Sequence, residues 1–300
     1  MRFVAYDEQG VGGLAVAASD GGYRGLRTDD PGFPGTLTSL VAAGQGALNA
    51  AADRLLRQGC PVDLDTVTVL PPLPAPGKII CVGLNYVDHS LESGFQPPPV
   101  PTIFLRVAST LVGHGAPILQ PTVSEQLDYE GEMVAVIGRG GRHIAKDAAL
   151  DHVIGYSVFN EASVRDYQTK GPQWTLGKNF DATGAFGPAF VTADELPPGG
   201  KGLRLQTRLN GQVVQSASTD DMIFDVPAII AFVTQAMTLQ PGDIIVSGTP
   251  AGVGMARKPQ LFMKPGDVCE VELERVGLLR NAIQAEAPLA GKDGSDRQAA

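Results

Sequence analysis

Hydrophobic and polar residues alternate along much of this chain in steps of two, the period of a strand with one covered face. Near the start, RFVAYDEQGVGGLAVAAS reads as a hairpin, two apolar runs around a Gly-rich turn. The period then changes. From Leu37 to Gly59, Leu40, Leu48, Ala51 and Leu55 share one helical face, and Gly59 stands where a helix commonly stops. VTVLPPLPAPG follows, and its prolines between Pro71 and Pro76 can continue neither a helix nor a central strand. A boundary is therefore expected there, with a small N-terminal accessory domain over 1–75 and a larger domain over 76–286 that opens near the strand KIICVG.

Short strands dominate the larger unit. RLQTRLNGQVVQSAS carries Asn210-Gly211 between alternating runs, a hairpin signal because both turn positions favour positive φ. DVPAIIAFVTQAMTLQPGD reads as a helix capped by Asp225, with Pro227 in its first turn and Pro241-Gly242 after its end. DIIVSGTPAGVG and KPGDVCEVELERVG supply a strand, a Gly-rich turn and an alternating strand. The tail over 287–300, rich in Gly, Asp, Lys and Ala, is expected to be disordered. The predicted class is α+β, mainly β.

Composition narrows the partners. A net charge of −9 and a pI near 4.9 argue against nucleic acid and anionic membranes, because phosphate contacts need clustered Lys and Arg. Cys60, Cys81 and Cys269 show no paired spacing and read as reduced core thiols. The N-terminus lacks a basic start followed by a long apolar run, and no window approaches a membrane span, so a cytoplasmic protein is expected.

Candidate chemistry begins at LDYEGEMVAVIG. On a strand, Asp128, Glu130 and Glu132 point the same way, followed on that side by Val134 and Val136, while Met133, Ala135 and Ile137 are apolar on the other. The carboxylates then sit at the mouth of a buried region, where they need protons or a cation. The competing reading is a solvated or ion-paired face. GYSVFNEASVRDYQ ends its apolar run at Glu161, which is either a third acid for the same site or the N-terminal acid of a helical turn over Ala162–Gln168. Three such carboxylates would make an all-oxygen site for Mg²⁺ or Mn²⁺. In GLNYVDHSLESGFQPPPVP, His89 and Glu92 lie three apart, so one helical turn lets the carboxylate orient the imidazole as a general base. Gly94 and the run Pro97–Pro101 mark a loop able to act as a lid; His114, His143 and His152 carry no such case.

Together KIICVGLNYVDHSLE, PTIFLRVASTLVGHGAPI, DYEGEMVAVIG, IGYSVFNEASVRDYQ, WTLGKNFDATGAFGP, LNGQVVQSASTDDMIF and PGDIIVSGTPAGVG resemble, in this order, the fumarylacetoacetate hydrolase family, from Lys78 to about Ile283. The resemblance implies a mixed β-sandwich roll, usually a homodimer, and a metal-dependent enzyme acting on small 2-oxo acids. It places Glu130, Glu132 and Glu161 on the metal ligands, with Mg²⁺ or Mn²⁺ expected and Ca²⁺ able to replace them in a crystal. It places His89 and Glu92 on the catalytic pair of the lid and Lys178 on the active-site lysine. Arg106, Ser109, Gln168 and Thr249 fall on positions that hold substrate oxygens. Two residues depart from the pattern: Glu161 stands where Asp is usual, and Arg106 where Lys is common, its planar fork suited to a carboxylate.

The main expectation from the resemblance is a hydrolase cleaving a carbon-carbon bond of an acylpyruvate or related 2,4-dioxo acid, in aromatic or sugar acid catabolism. His89, oriented by Glu92, would take a proton from water, and Lys178 would stabilise the enolate that leaves. The same enolate-stabilising site serves a decarboxylase, isomerase or lyase on a related 2-oxo acid such as oxaloacetate. A non-catalytic, metal-stabilised binding protein is the alternative of another class, and it has no use for a base on a lid. Phe95, Gln96 and Trp174 are the residues expected to tune substrate choice.

Overall fold

The period-two segments pair into two main sheets, seen in a computed structural model that describes residues 1–287. The expected disordered tail lies, beyond Ala287, outside the described residues. The larger sheet runs in the order Cys60–Val62, Tyr23–Arg27, Val11–Ala17, Arg2–Glu8, Gly184–Thr192, Val153–Glu161, Gly131–Ile137, Ile244–Val246, Ile79–Gly83 and Thr102–Arg106. A second sheet orders Gln212–Ser218, Arg204–Leu209, Val268–Leu273, Gly277–Ala285 and Ile118–Gln120. The protein is mixed α+β and mainly β.

The central strand Gly131–Ile137 is buried along its whole length, and its alternation separates two cores. Met133, Ala135 and Ile137 join Leu205, Val271, Leu279 and Ile283 of the second sheet, together with the helix Val226–Ala236. Val134 and Val136 face the opposite way, into a core shared with Phe159, Phe186 and Phe190. That second core is closed by Leu40, Leu48 and Leu55 of the N-terminal helices. The expected boundary near Pro71–Pro76 therefore separates segments whose strands share one sheet, because Arg2–Glu8 pairs antiparallel with Gly184–Thr192.

Local signals behave as their chemistry dictates, with two differences. Gln9 and Gly10 turn the opening hairpin, and Asn210 and Gly211 turn the later one with φ of 52° and 79°. Asp225 caps its helix by accepting from the Ala228 N–H at 2.9 Å. The expected helix from Leu37 to Gly59, however, is two, Leu37–Ala43 and Gln45–Gln58. Gly44, at φ 89°, ends the first by donating to Leu40 and Val41 carbonyls, and the same apolar face continues on the second. Cys60 is exposed, which corrects its reading as a core thiol; Cys81 and Cys269 are buried. Among the described residues no helix is long and apolar enough to cross a membrane.

One buried amide ties this frame to the short helix Val87–Glu92. Asn85 donates to the Ser247 and Phe224 carbonyls at 2.7 and 3.0 Å and accepts from the Phe224 N–H at 2.8 Å. Asn85→Ala leaves these backbone groups without partners, at a cost of roughly 3 kcal/mol from typical buried hydrogen bonds. A fall of that order in urea-unfolding stability is expected; a change below about 1 kcal/mol would contradict the anchoring role.

Candidate active site

Strand pairing brings the three glutamates together. Gly131–Ile137 runs antiparallel to Val153–Glu161, with Gly131 opposite Asn160 and Glu132 opposite Phe159. The Glu161 N–H reaches the Glu130 carbonyl at 2.8 Å, and Glu161 lies diagonal to Glu132 across the ladder. One carboxylate oxygen from each of Glu130, Glu132 and Glu161 lies within 4.8 Å of the others, and all three residues are buried. A solvated face is thereby excluded. The helix-cap reading of Glu161 also fails: it ends a strand, and the helix starts later, over Arg165–Gln168.

Asp128 does not join this cluster. The strand is interrupted between Asp128 and Gly131, and the Asp128 carboxylate accepts instead from Arg165 Nε at 2.8 Å and from the Gly254 and Met255 N–H groups at 2.7 and 3.0 Å. Arg165 also pairs with Glu130 at 2.6 Å, and Lys178 Nζ bridges Glu130 and Glu161 at 2.8 and 3.1 Å. Arg106 lies behind Glu161, its Nη1 3.9 Å from Oε1. The two residues that depart from the family pattern thus meet each other.

These contacts set the charges. Burial alone would push Glu130 up, but Arg165 and Lys178 outweigh it and hold its carboxyl at about 2. Glu132 moves the other way: burial, then Glu161 and Glu130, push it well above the ordinary value. Burial works against the Lys178 charge, yet Glu130 and Glu161 keep its ammonium above the usual range. Four buried carboxylates, Asp128, Glu130, Glu132 and Glu161, face three cations, Arg106, Arg165 and Lys178, and Glu132 is the acid left to keep its proton. Glu161 Oε1 is buried without a hydrogen bond. An all-oxygen donor set with an orphaned carboxylate oxygen fits a hard divalent ion.

Glu130 and Glu132 open into a small, partly enclosed cavity, whereas Glu161 is not part of its lining. His89, Glu130, Glu132, Arg165, Gln168, Lys178 and Thr249 supply its polar lining, and Phe95, Trp174 and Met255 part of its apolar wall. His89 Nδ1 lies 3.0 Å from Glu92 Oε1 on the helix Val87–Glu92, as the spacing predicted. Gln168 accepts from Arg165 at 2.9 Å, and Thr249 donates to the Gly131 carbonyl at 3.0 Å. Arg106 and Ser109 do not line the cavity. Arg106 is buried against Thr183 and the Ala162 carbonyl, whereas Ser109 is exposed. Gln96 is likewise exposed and outside the lining.

Sequence reasoning overlooked Arg165. Its signal was available, since Arg165 and Gln168 are three apart on one helical turn, with only the short strand Ser163–Val164 between it and the buried strand that ends in Glu161.

Residues 78–284 match the fumarylacetoacetate (FAA) hydrolase C-terminal family. The chain belongs to the fumarylacetoacetate hydrolase family. It is 40% identical over 277 residues to a mitochondrial oxaloacetate tautomerase of Rattus norvegicus, covering 92% of this chain and 86% of that one. Among solved structures it resembles a fumarylacetoacetate hydrolase from Exiguobacterium antarcticum, with a TM-score of 0.84, 34% identity, and coverage of 95% and 100%. A maleylpyruvate hydrolase from Sphingobium sp. SYK-6 gives 0.77 and 29%, over 95% and 100%. The buried glutamates agree with the divalent-metal site of this family.

Because Glu132 holds a proton above the usual glutamate range, a divalent ion must displace it. Mn²⁺ affinity is therefore expected to rise with pH and to weaken as pH falls, with proton release in calorimetry performed in two buffers of different ionisation enthalpy. Glu132→Gln should lose both the affinity and its pH dependence. Binding that is indifferent to pH and releases no proton would contradict this assignment.

Proposed function

We propose that this protein is an isomerase of a small 2-oxo acid, interconverting the keto and enol forms of oxaloacetate or a close analogue. The observation that carries the reading is the 40% identity, over 92% of the chain, to an oxaloacetate tautomerase. The cavity supports it by holding a candidate base, His89, together with a buried cation, Lys178. The hydrolase expected from the sequence is thereby the second reading. It draws on the likeness to fumarylacetoacetate and maleylpyruvate hydrolases.

Glu130, Glu132 and Glu161 are the residues that would hold Mg²⁺ or Mn²⁺. When bound, such an ion supplies positive charge to the carboxylate and 2-oxo oxygens of the substrate and favours enolate character. The chain's own groups move the proton. Glu92 engages His89 Nδ1, which leaves Nε2 to take a proton from the carbon beside the 2-oxo group. The electron pair of that C–H bond becomes the C=C bond, and the oxygen gains negative charge. Lys178, kept protonated by its two glutamates, donates a hydrogen bond to that oxygen. Return of the proton to oxygen gives the enol, and the reverse sequence gives the ketone. Hydrolytic carbon-carbon cleavage needs a positioned water in addition, whereas tautomerisation needs none.

The homodimer expected from the family is retained in this reading. It is supported by the exposed apolar side chains of Leu105, Val107 and Leu176 beside Thr102–Arg106, the strand that ends the large sheet among the described residues.

Purified protein with Mg²⁺ or Mn²⁺ should speed the loss of the enol-oxaloacetate ultraviolet absorbance without releasing pyruvate, and chelation should abolish the effect. Cleavage of acylpyruvates with no effect on enol decay would instead establish the hydrolase. His89→Ala should keep metal binding and lower turnover by roughly a hundredfold or more, the usual contribution of a positioned base. Unchanged turnover in that variant would remove His89 from the mechanism.

A further inference from the structure

Glu92 has a second set of partners besides His89. Both its oxygens accept from the Gly252 N–H at 2.9 Å, and Oε1 also accepts from the Val253 N–H at 3.4 Å. The next two N–H groups of the same turn, from Gly254 and Met255, go to Asp128, which Arg165 connects to Glu130. Of four successive amides, the first two thus point at the helix that carries His89 and the next two at Asp128 beside the glutamate cluster. Gly252 sits at φ 107°, and a Cβ there would meet the Val214 carbonyl at 2.2 Å, so only glycine suits the position.

This peptide is held from behind. The Gly252 carbonyl accepts from Arg257 Nε and from the Tyr129 hydroxyl, each at 3.1 Å, and Arg257 Nη2 donates to the Val214 carbonyl at 2.5 Å. Fixing that carbonyl fixes the peptide plane it shares with the Val253 N–H and restrains the turn about Gly252, whose own N–H is the nearer donor to Glu92. Arg257 itself is not among the residues lining the cavity.

We propose that the turn Gly252–Met255 is a latch that holds the His89–Glu92 helix over the cavity, and that Arg257 is the positioning residue that aims it. The inference rests on the reading of His89 and Glu92 as the proton-transfer pair. Without Arg257, the Gly252 carbonyl keeps only its bond from Tyr129, the turn holds the Glu92 carboxylate less firmly, and the helix spends less time closed with His89 directed at the substrate.

Trp174, the one tryptophan in the chain, reports the closure, since it lines the cavity beside Ser93 and Phe95 just beyond that helix. In Arg257→Ala, acrylamide quenching of Trp174 should rise about twofold and kcat should fall about tenfold, with Mn²⁺ affinity unchanged. In a Glu92→Ala background the same substitution should change kcat and quenching by less than about twofold, because the partner through which it acts is gone. A merely structural arginine gives additive losses, and additivity overturns the proposal. So does unaltered quenching in Arg257→Ala. Should Arg257→Ala fail to fold, Tyr129→Phe removes only one of the bonds to the Gly252 carbonyl and carries the same test, with the same outcomes at smaller size. Quenching needs no substrate, so an absence of turnover on every 2-oxo acid sinks the functional reading while the latch is still judged by Trp174.

Discussion

Three carboxylates within 4.8 Å of one another, all buried, are the constraint on which the rest of the site depends. Repulsion and desolvation both oppose this arrangement, so the protein surrounds it with Arg165, Lys178 and Arg106. Their charges fall one short of the four acids they face. The residual charge appears in the divergent behaviour of two neighbours, Glu130 held low by Arg165 and Lys178, and Glu132 pushed high by burial beside Glu161 and Glu130. A divalent ion in place of the Glu132 proton would add positive charge to the cluster and suit it to an anionic 2-oxo acid.

The same charges organise the second layer of the site. Asp128, left out of the glutamate cluster, spends its lone pairs on Arg165 and on two amides of the Gly252–Met255 turn. That turn in turn grips Glu92, which orients His89. The glutamate cluster, His89 and the turn are therefore linked by hydrogen bonds through residues far apart in the chain. The rigidity comes from the strands beneath, because Gly131–Ile137 is covered on both faces by separate cores. His89, carried on a short helix beside a well-packed frame, has the precise placement that a proposed base needs.

Legibility followed the range of the forces involved. Alternation in LDYEGEMVAVIG told correctly which residues face each core, because side-chain direction on a strand is a local property. The His89–Glu92 bond was equally visible, since three residues on one helical turn decide it. Extrapolating the same alternation back to Asp128 failed where the strand is interrupted, and a backbone break of that kind leaves no mark in a binary pattern. Arg165 was overlooked for a related reason: a lone arginine in a polar segment looks solvated until the acids that bury it are placed around it. Cys60 and the break at Gly44 show the same limit from the other side, as ordinary local signals whose outcome rested on neighbouring surfaces.

By itself the sequence determined the strand-rich class, the facing of the central strand, the caps and turns, and the residue types able to hold a hard cation and move a proton. Only the tertiary structure decided that Glu161 meets Glu130 and Glu132, that Arg106 stands behind Glu161 while Ser109 stays at the surface, and that the Gly252 turn reaches Glu92. Periodicity and capping act over a few bonds and are written in adjacent residues. Charge compensation and hydrogen bonding between distant segments act through space, and their partners are chosen by how the sheets pair and pack.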